Sequence, residues 1–403
     1  MILARSQTSS AEAGRQNCVS LFSGAGGLDI GFERAGFHTV SLTEFEPAFA
    51  GTLEANKGRL TTDGRRYLAD ATIFNADIRT LSGKEIACGA RIDCVIGGPP
   101  CQAFSSAGKQ LSVLDERGRL VDQYCRIIEE LKPRALLFEN VRGIVTARDE
   151  QGRPGGVLKS VFDRLQDLGY SCRAELLNAA DFGAPQRRVR CFIIGVRNGV
   201  APQFPAPTHG GDGLFSGQPH FTLGDFLAKH AETDESKFVF PTETLGRELA
   251  KLPNGSGLKS AGVAEPTRPG GHWGYRQGTF IADLTKPART VTGSSSQDWV
   301  RWNGVLRRLT FSEVVQLQGF PSDWNLRGNA AQVFKQVGNA VPPIFGELLG
   351  TVLREHLQRG SKARPQRNEL PASFAKYVEY TVSDERKNGS ARRVHKVFEG
   401  SKP

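Results

Sequence analysis

The sequence predicts an α/β fold, an open and mostly parallel sheet wound on both faces, with a second, smaller and irregular region. Three observations predict it. Short apolar runs rich in β-branched residues recur around 18–22, 39–43, 92–96, 135–138 and 191–196, separated by stretches of helical spacing. Those runs end in glycines or carboxylates, where an open α/β sheet presents its ligand crevice. From about residue 199 to 285 the chain turns rich in Gly, Pro, His and Thr and loses any long helical period.

Residues 1–16 are polar and read as a leader. Cys18 to Phe37 then passes from a strand to a helix that places Leu28, Phe32 and Ala35 on one face, with Gly36 as its stop. The turn between them holds Gly24, Gly26 and Gly27, which allow backbone to approach a ligand at a helix N-terminus. Asp29 stands where a dinucleotide fingerprint needs its third glycine, so an adenosyl-type cofactor fits better than a dinucleotide. A second strand, Thr39 to Thr43, ends at Glu44, where a carboxylate can take a ribose hydroxyl pair. Asn75 to Ile78 reads as the end of a third strand, and Ile92 to Ile96 as a fourth. The fourth breaks at Gly97, Gly98, Pro99 and Pro100 and delivers Cys101, since neither strand nor helix continues through two prolines. Val121 to Leu131 reads as a helix, and Ala135 to Phe138 as a fifth strand leading into Glu139, Asn140 and Val141. Leu158, Val161, Phe162, Leu165 and Leu168 form an amphipathic stripe of core residues. Two further strands, Cys172 to Leu177 and Cys191 to Val196, flank Gln186 to Arg190, in which Arg188 and Arg190 point the same way.

In the irregular region, His272, Trp273, Tyr275 and Arg276 mix aromatic and cationic groups in a manner compatible with nucleic acid. Order returns at 286–293 and at 308–321, where Thr310 and Glu313 make a capping box, and a last helix runs through His356. Residues 361–403 carry ten Lys/Arg against five Asp/Glu and read as a basic tail whose composition permits disorder and unspecific phosphate binding. The chain has no internal repeat.

Composition narrows the partners. The 403 residues carry a formal charge of +10, which points to a polyanion, nucleic acid foremost. No apolar run approaches the ~20 residues of a membrane span and the N-terminus lacks a signal-peptide core, so a cytoplasmic protein is expected. Seven cysteines without framework or zinc-ligand spacing imply a reducing compartment and no metal. Cys18, Cys88, Cys94, Cys125, Cys172 and Cys191 lie in or beside apolar runs and read as packing. Cys101 follows a rigid turn with no apolar periodicity after it, which leaves both a packed and a nucleophilic role open.

Taken together, these motifs resemble, in type and order over residues 18–358, the bacterial and phage DNA (cytosine-5) methyltransferase family. That resemblance implies a Rossmann-like, S-adenosylmethionine-dependent methyltransferase sheet with a target-recognition domain. Phe22, Ser23, Gly24, Gly26 and Gly27 match its cofactor turn, Glu44 its ribose-binding acid with Phe45 beside it, and Asp77 and Ile78 its adenine contacts. Pro100 and Cys101 match the nucleophile motif. Glu139 and Asn140 belong to its E-N-V motif, Arg188 and Arg190 to its Q-x-R-x-R motif. R-L-T, L-Q-G-F-P and the G-N-A-V-P-P stretch around Asn339, a cofactor-site residue, complete the set. The implied domains are 17–198 for catalysis, completed by 334–360, then 199–307 for target recognition and 308–333 as a return segment.

The family's chemistry then assigns Cys101 as the thiolate that adds to C6 of a flipped-out cytosine, activating C5. Glu139, protonated in a closed site, holds the base edge, while Arg188 and Arg190 fix base and thiolate. The resemblance implies double-stranded DNA as partner and a monomer with no membrane association. It also allows a cognate restriction endonuclease in the same system. Two rivals stand beside this reading: a tRNA cytosine-5 methyltransferase, and a DNA-binding regulator without catalysis. A nicotinamide-dependent oxidoreductase is disfavoured by Asp29.

Overall fold

The computed structural model describes residues 15–100, 119–210, 217–258, 279–360 and 363–383. Strand β1 (Gln16–Leu21) is flanked by β2 (Phe37–Glu44) and β4 (Cys94–Gly97), and the order β3-β2-β1-β4-β5-β7-β6 completes a seven-stranded sheet. Here β3 is Thr72–Asn75, β5 Ala135–Val141, β6 Ser171–Asn178 and β7 Val189–Val196. All neighbours pair in parallel except β7, which runs antiparallel to both β5 and β6. The winding reverses between β1 and β4, and the loops leaving these two strands open into one crevice. The first is the glycine turn 22–27; the second is Gly98-Pro99-Pro100.

Helices cover both faces. On one, α4 (Arg119–Leu131) and α5 (Gly156–Asp167) bury Tyr124, Ile127, Ile128, Leu158 and Phe162 against the sheet, with the expected stripe of α5 turned inward. On the other, α1 (Gly27–Arg34) packs against α10 (Pro343–Arg359), whose Phe345, Leu349 and Leu353 complete the core. The two helices approach so closely that a Cβ on Gly31 would lie 2.2 Å from the Pro343 carbonyl. The C-terminal helix is thereby an integral layer of the large sheet unit, which is why residues so far apart in sequence share one core. Between these elements lie α2 (Pro47–Asn56) and α3 (Gly83–Ile86).

The irregular region contains regular pieces that its sequence did not announce. Two eight-residue helices, α6 (Leu223–His230) and α7 (Glu243–Ala250), begin at Thr222 and Thr242, whose hydroxyls accept from the amides three residues on. A small sheet of order β11-β10-β9-β8 joins β8 (Ser256–Gly257), β9 (Phe280–Ile281), β10 (Trp299–Trp302) and β11 (Val305–Arg308). The region is not packed by itself alone. Leu223, Phe226, Val291 and Val300 share a third core cluster with Ile30, Leu42 and Leu53 of the large unit. That cluster also takes in α8 (Phe311–Leu317) and α9 (Ala330–Asn339).

Three further expectations change. Gln16, placed in the leader, opens β1, and Cys88, assigned to packing, is exposed. Residues 363–383, expected within a loose basic tail, are docked. Their helix α11 (372–383) buries Phe374 in the core beneath α5.

Candidate active site

The register of the sheet assembles the site. Gly97 pairs with Phe138, so the next residue along each strand, Gly98 and Glu139, meet at the carboxyl edge. A Cβ on Gly98 would stand 2.6 Å from Glu139 Oε2, so only glycine lets the turn lie against this carboxylate. One residue further, Asn140 Nδ2 donates to the Pro99 carbonyl at 3.2 Å. Asn140 thus holds the turn two residues before Cys101, a link that motif order did not reveal. Cys101 itself, like His272, Trp273, Tyr275 and Arg276, lies outside the described residues.

Glu139 is buried, and burial pushes its carboxyl above the ordinary glutamate range, opposed by Arg190 and Arg188. Arg190 Nε lies 3.1 Å from Glu139 Oε1. The pair follows from register: Glu139 faces Phe192 on β7, and Arg190, two residues along, is its same-face diagonal neighbour.

Arg188 has a different set of contacts from those expected of a residue pointing with Arg190. Its guanidinium is fully buried and donates to the carbonyls of Val291, Gly338 and Ala340 at 2.6–3.0 Å. Those carbonyls sit where 286–293 crosses the G-N-A-V-P-P stretch, so closely that a Cβ on Gly338 would lie 2.1 Å from Gly293 N. Gln186 strengthens the same crossing, donating to Leu317 O and to Gln318 Oε1 and accepting from Val291 N. The Q-x-R-x-R segment therefore ties the irregular region and the C-terminal motifs to the sheet at two of its three named positions. The third, Arg190, faces Glu139.

Across the crevice, the glycine turn has a form suited to a nucleoside. Phe22 and Gly24 have φ near +59°, and a Cβ on Gly24 would meet nothing within 4 Å, leaving open space at the N-terminus of α1. Ser23 is fixed to Ser20 by a hydroxyl contact and to Thr43 O by its amide. The Glu44 carboxylate accepts from Gly24 N and Glu46 N, both at 2.8 Å, and a carboxylate has acceptor capacity beyond these two bonds. Beside it, Phe45 is 66% exposed, an aromatic face left at the rim of a carboxylate-lined crevice. Asp77 caps the turn at Ile78 and binds Arg79 bidentately, while Ile78 is buried. Asn339 is exposed at the end of α9, near Gly293, and Pro100 is exposed at the end of the second loop. Carboxylate, aromatic face and open glycine turn fit an adenosyl group.

The elements that bring together the Glu139–Arg190 pair, the Asn140-clamped turn and the glycine-lined crevice lie within the span of one family model. C-5 cytosine-specific DNA methylase matches residues 16–355. The chain belongs to that family. Among relatives, it is 32% identical over 342 residues to the Type II methyltransferase M1.HphI of Haemophilus parahaemolyticus, covering 82% of this chain and 84% of the relative. The Type II methyltransferase M.PspPI of Psychrobacter sp. is 31% identical over 360 residues, covering 85% and 80%. A prophage-encoded protein of E. coli superposes with a TM-score of 0.62 at 21% identity, over 85% of this chain and 99% of that one. Spodoptera frugiperda DNMT2 does so at 0.58 and 19%, over 84% and 99%. The sheet is thus the Rossmann-like methyltransferase fold, and the chain is a DNA (cytosine-5) methyltransferase of the kind found in Type II restriction-modification. Among the described residues, no helix is long and apolar enough to cross a membrane.

Proposed function

We propose that this methyltransferase transfers a methyl group from S-adenosylmethionine to C5 of a cytosine flipped out of a specific duplex sequence, with Cys101 as nucleophile. The observation that carries the reading is the clamp at the carboxyl edge. Asn140 on the Pro99 carbonyl and Glu139 against Gly98 hold the approach to Cys101 beside a buried, arginine-paired carboxyl. A cytosine ring placed there meets the thiol turn on one side and Glu139 on the other.

The thiolate adds to C6, and the electron pair displaced toward C5 makes that carbon nucleophilic. Glu139, whose proton affinity burial raises, donates its proton to the base edge in this reading and offsets charge building at N3. Arg190 orients the Glu139 carboxyl, and Arg188 acts as a positioning residue through the backbone it binds. When bound between Gly24, Glu44 and Phe45, the cofactor supplies an electrophilic methyl group and a positive charge that favours the thiolate. After transfer, loss of the C5 proton lets the sulfur leave C6 and restores the ring. Asn339, Asp77 and Ile78 complete the cofactor site in this reading. Residues 199–307 supply target recognition, the chain acts on DNA as a monomer, and a cognate restriction endonuclease in the same system is compatible with this reading.

The test is expression in a methylation-free host followed by bisulfite sequencing of its DNA and tRNA. Protected cytosines confined to one short duplex motif are expected. Protection in tRNA alone would transfer the same chemistry to a different substrate, and no protection in either would remove catalysis from the reading.

A further inference from the structure

Just past the L-Q-G-F-P stretch, Trp324 is buried, and its indole Nε1 donates to the Ala25 carbonyl at 3.0 Å. Ala25 lies inside the glycine turn, 299 residues earlier in the chain. That turn needs an outside hold. Phe22, Gly24 and Gly26 have φ of 59°, 59° and 86°, a conformation that costs Phe22 energy and that the glycines leave as readily as they enter. Gly26 packs directly on the indole, since a Cβ there would lie 3.5 Å from Trp324 Cζ2. Trp324 is itself fixed. Tyr67 meets its ring edge-on at a centroid distance of 6.1 Å, and Phe320 lies 6.0 Å away. The residues around it are bonded to α2 and its C-terminal end, the helix that follows Glu44 and Phe45. Asn56 donates to Asn325 O and accepts from Asn325 N, both at 2.9 Å. Thr52 Oγ1 accepts from Arg327 N, and Arg59 pairs with Asp323 at 2.8 Å. Residues 323–327 therefore join two parts of the crevice, α2 through several bonds and the glycine turn through one indole N–H.

We propose that Trp324 is a positioning residue for the cofactor: its N–H holds the Ala25 carbonyl so that the glycine turn stays in the form that binds the nucleoside. Ala25 is buried, so breaking the bond strands an acceptor where water does not replace the donor. A turn released in this way presents its binding form for only a fraction of the time, and the apparent Kd rises by the inverse of that fraction. The donor, and not only the apolar bulk of the ring, then sets cofactor affinity. The proposal rests on the reading of this turn as the S-adenosylmethionine site.

Two substitutions in the full-length chain separate the donor from the ring. Trp324→Phe keeps an aromatic ring and loses the N–H. Trp324→His loses the benzo ring and keeps an N–H, its Nε2 standing in the ring position of the indole Nε1. S-adenosylmethionine binding is measured by calorimetry at pH 8, where an imidazole of ordinary pKa is neutral, and urea unfolding gives the stability of each variant. Trp324→Phe is expected to bind the cofactor about tenfold more weakly, and Trp324→His to bind within about threefold of the native chain while being the less stable of the two. In turnover the loss in Trp324→Phe falls on KM for the cofactor rather than on kcat. Val314→Ala, which truncates α8 within the same core cluster and leaves the indole bond in place, controls for general loosening and should bind the cofactor as the native chain does. Native affinity in Trp324→Phe, an equal loss in Val314→Ala, or weaker binding by Trp324→His than by Trp324→Phe would overturn the proposal. Should Trp324→His not fold, the comparison of Trp324→Phe with Val314→Ala decides alone. If the intact chain itself bound no S-adenosylmethionine, the cofactor reading would fail and the proposal with it.

Discussion

At the scale of single residues, two side chains carry expectations that can be measured directly. Asp29, in the first turn of α1, is fully buried, and burial pushes its carboxyl up to about 7, with the Ser20 hydroxyl opposing. The folded chain therefore holds a proton that the unfolded chain releases near pH 4. Stability from this group is complete below that value, declines as pH rises toward 7 and is flat above it. Asp29→Asn is expected to be more stable than the native chain by about 2–4 kcal/mol at pH 8 and to converge with it below pH 4. Urea midpoints at the two pH values check this, and parallel curves would show that Asp29 ionises without cost. Asn140 is the second. Removing its bond to Pro99 in Asn140→Ala should lower kcat by about 10²-fold, the scale of a small misplacement of a catalytic group. Cofactor affinity, measured by calorimetry, should be unchanged. Glu44→Ala should do the reverse, weakening cofactor binding by about 1–3 kcal/mol while leaving DNA affinity intact. Glu44, Glu139 and the turn Gly98-Pro99-Pro100 were legible in the sequence as candidates because each stands at the end of an apolar run. The partners of Asn140 and Arg188 were not, since both reach backbone carbonyls, which sequence pattern does not mark.

At the scale of elements, the strands and the α5 stripe follow from periodicity, whereas contacts between distant elements do not. The capping box at Thr310 was visible, but Glu313 has a further role: it receives both terminal nitrogens of Arg307 at 2.6–2.8 Å, with both side chains buried. It also accepts from Glu232 N, joining α8 to the irregular region. Arg307→Ala strands a buried carboxylate and is expected to cost about 3–5 kcal/mol. Denaturant unfolding would show it, and a loss under about 1 kcal/mol would mean that water or a rearranged side chain replaces the arginine. The tail shows how composition can mislead. Its charge suggested a solvated segment, yet Leu370, Phe374 and Tyr377, spaced for one face, pack against the core. That spacing was the available signal, masked by the lysines and arginines around it.

At the scale of the whole molecule, residues 199–307 and the large sheet share a core, and this constrains how the recognition role proposed for those residues can be exchanged. Exchanging residues 199–307 for those of a related enzyme is expected to move the methylated motif without altering the chemistry, because base contacts specify and phosphate contacts position. The exchange must preserve apolar residues equivalent to Leu223, Phe226, Val291 and Val300, which pack against Ile30 and Leu53. Bisulfite sequencing of the host genome reads the outcome. An active chimera that kept its original motif would move recognition outside this region.

The central claim is that one of seven cysteines is a nucleophile, and DNA in which every cytosine carries fluorine at C5 tests it without knowledge of the target sequence. Fluorine replaces the proton that must leave before sulfur can be eliminated from C6, so a nucleophilic thiol is trapped on the base. With S-adenosylmethionine present, the account predicts a denaturation-resistant protein–DNA adduct whose cross-linked peptide contains Cys101, and no adduct with Cys101→Ser despite intact cofactor binding. An adduct that survives in Cys101→Ser, or one that maps to any of the other six cysteines, would contradict it.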